Sequence, residues 1–415
     1  MSNTQLPQTL KGFRDFLPEE KTLRDVVLER VLETFKLYGF QPLETPTLEY
    51  ASLLLGKYGN EADKLVYTFT DNGDRCVGLR YDQTVPTARV LAQYKDQLPT
   101  YFRRYQVQNV FRADKPQKGR YREFTQCDID IFGSSSPLSD AEIIACTYAS
   151  FSNIGFKTIV IKVNDRRVLT NILQQFATDQ VLMMSIIQSI DKLDKMSAKD
   201  VADELIQKGL SVTSAMDALA AIEKAKPNES LNMILTLAQK LGVPQDVLQF
   251  TPSLARGLDY YTGMIFEVMI PEFPIGSFGG GGRYDNLIQQ LGGADIPAVG
   301  IAFGFDRIVE AVKEMKFISA KNISAKVLVT VFDESTQLYS AQIAASLRKN
   351  DISTELYPAV DKFSKQFKYA AKLGFQYAVV IGPEEILNKT VQVKNLQTEK
   401  QVEVVMSELV SVIQG

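Results

Sequence analysis

The chain has 415 residues with a formal net charge of −3, and 45% of its residues are apolar. This length and composition are typical of a soluble globular protein of two or three domains, and no apolar run reaches the ~18 residues that a membrane span needs. Histidine is absent, which excludes Ser-His-Asp and Cys-His catalysis and imidazole-bound metals. Three widely spaced cysteines and a polar N-terminus predict a cytoplasmic protein with no zinc site.

The first part of the chain predicts a helix followed by an antiparallel sheet. Apolar residues recur with a helical period over 19–38, and Gly39 ends this pattern before the extended, proline-containing segment 40–48. Turns rather than helices separate several of the later strand patterns, which favours antiparallel pairing. These strands are predicted at 65–70, 76–81, 101–112, 121–132 and 157–163.

The middle of the chain predicts a helical insertion that interrupts this sheet domain. Almost all of 166–248 has a helical pattern, and strand and turn signals resume at 249–282. The segment beginning at Ala298 is predicted to start a helix that runs to about Lys316. The four glycines at 279–282 lack the Lys-Ser/Thr of a phosphate-binding loop. They predict either a stretch where the backbone comes close to a substrate or, equally well, a plain flexible hairpin.

From Lys326 onward, strand and helix patterns alternate, which predicts an α/β domain of parallel or mixed strands. A hairpin at 390–405 and a closing helix complete it. The predicted fold is therefore an α+β domain with an antiparallel sheet, a helical insertion and a C-terminal α/β domain. The predicted boundaries are 1–165 and 249–320 for the two parts of the sheet domain, 166–248 for the insertion and 326–415 for the last domain. Within 326–415, strands are predicted at 327–331, 352–357 and 377–381, and helices at 336–349 and 361–373.

The strongest functional signal is a basic cluster between residues 103 and 122. Its arginines and lysines are accompanied by a single acid, Asp114, although the whole chain is slightly acidic. Guanidinium groups on strands around a Pro/Gly turn match the oxygens of a polyphosphate. An isolated hairpin of this kind is more often a solvated basic surface, so the neighbouring motifs decide in favour of a binding site. The basic residues are Arg103, Arg104, Arg112, Lys115, Lys118, Arg120 and Arg122.

Several motifs resemble those of the histidyl-tRNA synthetases, a family of class II aminoacyl-tRNA synthetases, nearly end to end. Segments 39–46, 111–124 and 304–307 are similar to class motifs 1, 2 and 3. Segments 256–263 and 281–285 resemble elements particular to the histidine enzymes. The resemblance implies a histidine–tRNA ligase that forms histidyl-adenylate from L-histidine and ATP and transfers histidine to tRNA(His). It also implies a homodimer interface at motif 1 and anticodon binding by the C-terminal domain.

The same resemblance implies the residues of the ATP site. Arg112 and Arg256 would hold the α-phosphate from opposite sides and are the implied catalytic residues. The substrate carboxylate attacks the phosphorus, so the protein needs no nucleophile and must align two anions and neutralise developing charge. ATP is expected to bring Mg²⁺, whose ligands the sequence does not assign. Arg120 and Arg307 would contact the β- and γ-phosphates. Phe124 would contact the adenine ring, and Asp114 would contact the amino group of adenine.

The implied histidine pocket combines acids with tyrosines. Asp130 and Tyr261 resemble the groups that read the imidazole nitrogens, and a buried acceptor for a ring N–H discriminates strongly against apolar analogues. Asp128 shares the strand face of Asp130 by alternation and is interpreted as part of an ordinary polar face. Asp82 and Thr84 resemble the residues that bind the α-amino group. The other implied contacts of the amino acid are Arg112, Gln126, Arg256, Tyr260 and Tyr284.

The basic loop 115–120 is placed to meet a tRNA acceptor stem, with Gln117 and Lys118 as the implied contacts. Residues 326–415 carry equal numbers of acids and bases, so anticodon binding there would depend on local patches and base contacts. Three alternatives remain open: a histidine-sensing regulatory subunit of ATP phosphoribosyltransferase, a synthetase for another amino acid such as threonine or proline, and a non-catalytic tRNA-binding protein. Histidine-dependent exchange of pyrophosphate into ATP separates them.

Overall fold

A computed structural model describes residues 7–56, 64–117, 119–256, 260–274, 276–290, 293–318 and 326–414. The chain separates into two compact units, of which the larger comprises Met1–Leu17 and Arg24–Phe317 and the smaller comprises Pro18–Leu23 and Ile318–Gly415. The helices before residue 318 are α1 (Pro18–Leu37), α2 (Ala51–Leu54), α3 (Thr84–Tyr94), α4 (Pro137–Ile154), α5 (Arg166–Leu173), α6 (Met183–Ile190), α7 (Ala198–Gln207), α8 (Val212–Glu223), α9 (Glu229–Lys240), α10 (Leu287–Gln290) and α11 (Phe305–Met315).

The larger unit is built on an eight-stranded sheet with the order β1-β5-β6-β11-β10-β9-β7-β8. The pairs β1·β5 and β7·β8 are parallel and every other pair is antiparallel, which confirms the predicted antiparallel sheet in its central strands. A smaller antiparallel sheet has the order β2-β4-β3. The strands are β1 (Gln41–Pro42), β2 (Leu48–Tyr50), β3 (Thr68–Thr70), β4 (Cys76–Leu79), β5 (Phe102–Phe111), β6 (Glu123–Phe132), β7 (Val160–Asp165), β8 (Leu248–Phe250), β9 (Met264–Met269), β10 (Gly279–Arg283) and β11 (Ala298–Gly304).

The segment from Ala298 differs from its prediction as the start of a helix. It is the central strand β11, paired with β6 on one side and β10 on the other, and the helix begins only at Phe305. Glycine and alanine alternate there with larger residues, so the short pattern fits either structure, and pairing on both edges decides for the strand. The helices predicted within 166–248 are present, from α5 to α9. The domain boundaries within the larger unit stay a prediction.

One face of the large sheet packs into the aromatic core. Phe303 of β11 lies between two helices, with ring-centre distances of 5.4 Å to Phe35 of α1 and 5.6 Å to Phe151 of α4. All three are at most 1% exposed. Burying such rings contributes roughly 1.5–3 kcal/mol each. Because side chains alternate along a strand, the neighbours of Phe303 point to the opposite face.

The smaller unit contains a five-stranded sheet with the order β13-β12-β14-β15-β16, in which β12 is parallel to both neighbours and the remaining pairs are antiparallel. The alternating strands and helices predicted from the sequence are all present in it. No described helix is long and apolar enough to cross a membrane. The elements are β12 (Val327–Val329), α12 (Gln337–Lys349), β13 (Thr354–Leu356), α13 (Phe363–Leu373), β14 (Tyr377–Val380), α14 (Pro383–Asn388), β15 (Thr390–Asn395), β16 (Gln401–Val405) and α15 (Leu409–Gln414).

Candidate active site

The face of the large sheet opposite the aromatic core has a central floor with almost no side chains. Strand β11 contributes Gly300, Ala302 and Gly304 to this face, and the adjacent strand β10 has only glycine from 279 to 282. Both strands are buried along this stretch, except that Ala302 and Gly304 are partly exposed. Neighbouring strands lie about 4.8 Å apart, so the floor is roughly 10 Å wide. The missing side chains make room for groups that the flanking segments project over these two strands.

Strand β6 borders this floor with a buried acidic cluster. An added Cβ at Gly300 would lie 1.8 Å from Oδ1 of Asp130, so the glycine makes room for this carboxylate. Nη2 of the fully buried Arg104 on β5 lies 2.7 Å from Oδ2 of Asp130, and the Tyr284 hydroxyl donates a short hydrogen bond to Oδ1. Burial raises the pKa of Asp130 from its usual value, while Arg104 acts in the opposite direction. Asp130 is thus positioned as an acceptor at one end of the site.

Asp128 does not lie on the ordinary polar face predicted for it. Its side chain is 2% exposed, because β6 is an inner strand of the sheet with neighbours on both sides. Burial raises the pKa of Asp128 well above its usual range, and the nearby Asp130 and Asp82 add to this although Arg104 opposes it. Its Oδ1 has no hydrogen-bond partner among the described residues.

Arg256 approaches the floor from the opposite side. Its Nη1 lies 2.8 Å from Oε1 of Glu267 on β9, and its guanidinium carbon is 5.9 Å from the ring centre of Tyr261. The backbone of Arg256 has a φ of 51°, a left-handed conformation that is uncommon outside glycine. Its N–H donates to Oδ1 of Asp191 at 3.0 Å, which stabilises this turn. The guanidinium lies directly against Gly280, where an added Cβ would be 1.5 Å from Nη1.

Two glycines of β10 are needed for different structural reasons. The sequence suggested that glycine lets the backbone come close to a substrate, but Gly280 makes room for the protein's own Arg256. Gly281 is required by the sheet itself, because a Cβ there would lie 2.0 Å from the backbone oxygen of Gly300. The alternative reading as a flexible hairpin is wrong, since residues 279–282 form a buried inner strand.

These two glycines give a matched pair of variants. Gly280→Ala should leave the protein folded, because the clashing atoms belong to the end of a flexible side chain. It should displace Arg256 and lower the adenylate formation that the motifs imply by about 10-fold or more. Gly281→Ala should instead destabilise the sheet by about 1–3 kcal/mol through overpacking. Thermal unfolding and pyrophosphate exchange measured on both variants check this. If Gly280→Ala were as active as the unmodified protein, the contact of Arg256 with Gly280 would not matter for the reaction, and the prediction would be wrong.

The basic and aromatic residues of the motif 2-like hairpin lie at the other end of β6. The guanidinium carbon of Arg112 is 5.2 Å from the ring centre of Phe124 and 4.3 Å from that of Tyr81, and Nε donates to the Tyr81 carbonyl at 3.1 Å. Phe124 and Asp130 are six residues apart on one strand, about 20 Å. The buried acid Asp130 and the guanidinium of Arg112 therefore lie toward opposite ends of the site.

Two more arginines lie near this basic end. Burial, and the nearby Arg120, lower the pKa of Arg307, whose Nη1 donates to the Ser277 carbonyl at 2.7 Å. Arg120 is half-exposed and lies 3.0 Å from Asp114. Gln117 and Arg120 exchange two backbone hydrogen bonds, of 3.1 and 2.9 Å, across the tip of the hairpin. Two neighbouring guanidinium groups repel one another unless an anion lies between them.

The segment that precedes α3 is attached to the same strands. The buried Gln83 donates from Nε2 to backbone oxygens of β5 and of Gln126 at 3.0 and 2.9 Å. Oδ1 of Asp82 accepts from the Val85 N–H at 3.1 Å, at the start of α3. Asp82 and Thr84 are thereby held beside Gln126, whose Oε1 has no hydrogen-bond partner within the described part of the chain.

The tyrosines of the predicted pocket form one group. The ring centres of Tyr260 and Tyr261 are 4.7 Å apart, and those of Tyr260 and Tyr284 are 5.8 Å apart. Lys118 and residues 257–259 of the histidine motif lie outside the described residues, and Gln117 is exposed. The structure thus groups most of the predicted residues around one floor, and their individual roles stay predictions.

Sequence reasoning missed Glu267 in this site. It named Arg104 and Asp128 but assigned Arg104 to a basic, polyphosphate-binding cluster and Asp128 to an ordinary polar face, whereas Arg104 is buried against Asp130. Arg104 and Asp130 are directly paired in the β5–β6 register, but the long connection between these strands does not set the register locally. Glu267 meets Arg256 only because β9 lies beside β10. The signal that could have suggested a buried partner is the run of polar residues at alternate positions 104, 106 and 108 of β5, whose first two members are buried.

The fold and the site define a class II aminoacyl-tRNA synthetase. A family model described as Histidyl-tRNA synthetase matches residues 12–308, and one described as Anticodon binding domain matches residues 326–415. The chain belongs to the histidyl-tRNA synthetase family.

Similar proteins extend over almost the whole chain. A protein of Wolinella succinogenes named histidine–tRNA ligase is 37% identical, and the match covers 94% of each chain. One of the same name from Rhodopirellula baltica is 37% identical over 97% of this chain and 96% of its own. The crystal structure of histidyl-tRNA synthetase from Nostoc sp. PCC 7120 matches with a TM-score of 0.85 at 28% identity over 98% of both chains. The predicted fold class is confirmed.

Proposed function

We propose that this chain is a histidine–tRNA ligase, which converts L-histidine and ATP into histidyl-adenylate and transfers histidine to the 3′ end of tRNA(His). The observation that carries the proposal is the small-residue floor with buried acids at one end of β6 and arginines at the other. Histidine presents an ammonium group and ring N–H groups, while ATP presents phosphates. The adenylate joins both, so a single site needs acceptors and guanidinium groups at opposite ends.

The amino-acid end supplies acceptors for nitrogen. In this proposal Asp130 and Tyr261 read the ring nitrogens, with Tyr260 and Tyr284 packed beside them. The α-amino group is bound by Asp82, Thr84 and Gln126. Asp130 suits its role because Arg104 and Tyr284 fix its orientation, which lets it discriminate against analogues that cannot donate a hydrogen bond.

The reaction takes place between Arg112 and Arg256. A carboxylate oxygen of histidine attacks the α-phosphorus, and the bond to pyrophosphate breaks, so no protein group needs to accept a proton. Both arginines neutralise charge that develops on the phosphorus oxygens and align the carboxylate. Glu267 pairs with Arg256, which limits the side-chain motion of Arg256 before ATP binds.

The remaining ATP contacts lie on the motif 2-like hairpin and at the start of α11. Arg120 and Arg307 bind the β- and γ-phosphates, since their mutual repulsion is relieved by an anion between them. Phe124 stacks on adenine, and Asp114 contacts its amino group after leaving its pair with Arg120. Mg²⁺ arrives as part of the substrate complex and neutralises the leaving pyrophosphate.

The tRNA is bound by Gln117 and Lys118 at the acceptor stem and by 326–415 at the anticodon. We further propose a cytoplasmic homodimer. Exposed apolar side chains on both sides of β1 in the sequence support the dimer. Leu37 at the end of α1 and Leu48 and Tyr50 on β2 are 83%, 44% and 60% exposed, and an interface would bury them. Sedimentation equilibrium should give twice the mass of one chain. A monomer at micromolar concentration would contradict the proposed homodimer.

Histidine-dependent pyrophosphate exchange tests the activity and separates the alternatives. A ligase catalyses the exchange with histidine and then charges tRNA. A regulatory subunit or a tRNA-binding protein shows no exchange, and a synthetase for threonine or proline exchanges only with that amino acid. Among the residues that the structure describes, no specific feature favours these alternatives over the ligase.

The role of 326–415 is tested by removing it. A chain that ends near residue 321 should still catalyse histidine-dependent pyrophosphate exchange, because every proposed adenylation residue precedes this point. It should charge tRNA far less well at low tRNA concentration, because the anticodon contacts are lost. Circular dichroism and sedimentation establish that the shortened chain is folded and dimeric. Undiminished charging would contradict the anticodon assignment.

A further inference from the structure

We propose that Asp128 is a further histidine-binding residue, whose Oδ1 accepts a hydrogen bond from the α-ammonium group of the substrate. The inference rests on the proposed function, since it adds a residue to the proposed amino-acid end of the site. Asp128 lies on β6 between Gln126 and Asp130, two residues from each, and all three are less than 9% exposed. Residues two apart on a strand project from the same face and are about 7 Å apart. Asp128 therefore lies between the residues proposed to bind the ammonium group and the ring.

Within the described residues, the two register partners of Asp128 offer it no free donor. In the sheet register it is flanked by Gln106 of β5 and Ala302 of β11. Nε2 of Gln106 donates to Oγ1 of Thr45 at 2.9 Å and also to Gln108, so both amide hydrogens are in use. Ala302 has no polar side-chain atom. The unpaired Oδ1 thus results from the arrangement of the sheet and points to a donor from outside the chain.

The charges around Asp128 also call for a cation. Besides burial, the nearby Asp130 of β6 and Asp82 of the segment before α3 raise the pKa of Asp128. Arg104 of β5 and Arg112, which follows β5, act in the opposite direction. Arg104 is already paired with Asp130. A buried carboxylate is stable only when paired and hydrogen-bonded, and an ammonium ion among these acids supplies the missing charge.

An α-ammonium group matches the acceptors that converge here. It has three N–H donors. Oδ1 of Asp128 and Oε1 of Gln126 both lack partners among the described residues, and Asp82 is the third acceptor, held at the start of α3. A ring N–H would use only one of them, and a phosphate would be repelled by the acids. The ammonium group is therefore the part of the substrate that fits.

Two ligands that each keep two of the three polar groups of histidine test this. Histidinol keeps the ammonium group and the ring, while 3-(imidazol-4-yl)propionate keeps the ring and the carboxylate but has no ammonium group. Dissociation constants are measured by calorimetry at pH 8, where the ring is neutral. Asp128→Asn should weaken histidinol binding by about 10- to 100-fold, the effect of losing a hydrogen bond between charged groups. Binding of the propionate should change little.

Two matched variants serve as controls for the selectivity of Asp128→Asn. Asp82→Asn should show the same selective loss for histidinol, and Asp130→Asn should weaken both ligands. The inference is overturned if Asp82→Asn is selective for histidinol but Asp128→Asn is not. In that case Asp128→Asn weakens the binding of both ligands equally or of neither, and Asp128 has only a structural role. If Asp82→Asn is not selective either, the proposed amino-group site itself is wrong.

A structural measurement keeps the test independent of whether Asp128→Asn folds. In a crystal structure of the unmodified chain with histidine bound, the α-nitrogen should lie within about 3.2 Å of Oδ1 of Asp128. A separation above about 4 Å overturns the inference. Asp128→Ser, which is smaller and neutral, should repeat the selective loss if the first variant is unstable.

Discussion

Replacing Arg256 with alanine should lower the rate of histidyl-adenylate formation by about 10²- to 10³-fold, the range found when one preorganised charge-stabilising donor is removed. The dissociation constant for histidine should change far less, because the charge of Arg256 is needed chiefly in the transition state. Pre-steady-state adenylate formation and equilibrium binding of histidine measure the two effects separately. A variant that loses only histidine affinity would contradict the catalytic role.

Three control variants make this result specific. Arg256→Lys should rescue poorly, because an ammonium group is a point charge where a planar fork is needed. Glu267→Gln removes the partner but leaves the guanidinium, so its loss should be smaller than that of Arg256→Ala. Arg75→Ala removes an arginine that is 60% exposed and pairs with Asp71, and it should leave adenylate formation unchanged.

Replacing Arg104 with methionine should destabilise the protein by about 3–5 kcal/mol at pH 8, because it leaves a buried carboxylate without its counter-ion. Arg104 is fully buried and its Nη2 lies 2.7 Å from Oδ2 of Asp130. Histidine affinity should fall as well, because Asp130 loses the group that orients it. Urea-induced unfolding and equilibrium binding measure the two effects.

The same variant should show a defined pH dependence. Burial already raises the pKa of Asp130, and Arg104 is the main opposing group, so its removal raises the folded-state pKa further. Ionisation is then penalised only in the folded state. The loss of stability is smallest below the unfolded pKa of about 3.9 and grows as the pH rises toward the folded pKa. Arg104→Met should therefore lose less stability at pH 5 than at pH 8.

A double variant checks that Asp130 causes this dependence. Arg104→Met combined with Asp130→Asn removes both charges and should recover part of the lost stability and most of the pH dependence. Equal destabilisation at pH 5 and pH 8 in the single variant would show instead that lost packing of the arginine, and not the unpaired carboxylate, dominates.

Much of the fold could be predicted because its elements carry local patterns. The first helix was predicted at 19–38 and observed as Pro18–Leu37, and the alternating elements after Lys326 were predicted in the right order. The motifs that carry the family resemblance are also local. Segment 298–304 could not be assigned in this way, because its glycines and alanines fit a strand only when β6 and β10 are paired with it.

The sequence by itself determined many of the helices and strands, the family, and the residue types of the candidate site, because these depend on near neighbours and on periodicity. Only the tertiary structure decided which side chains meet. Strand register pairs Arg104 with Asp130 and leaves Asp128 buried between Gln106 and Ala302, and the turn that holds Arg256 brings its guanidinium onto Gly280. The physical reason is that register is set by the whole sheet, and a shift of one residue would turn the side chains of Arg104, Asp128 and Asp130 to the other face.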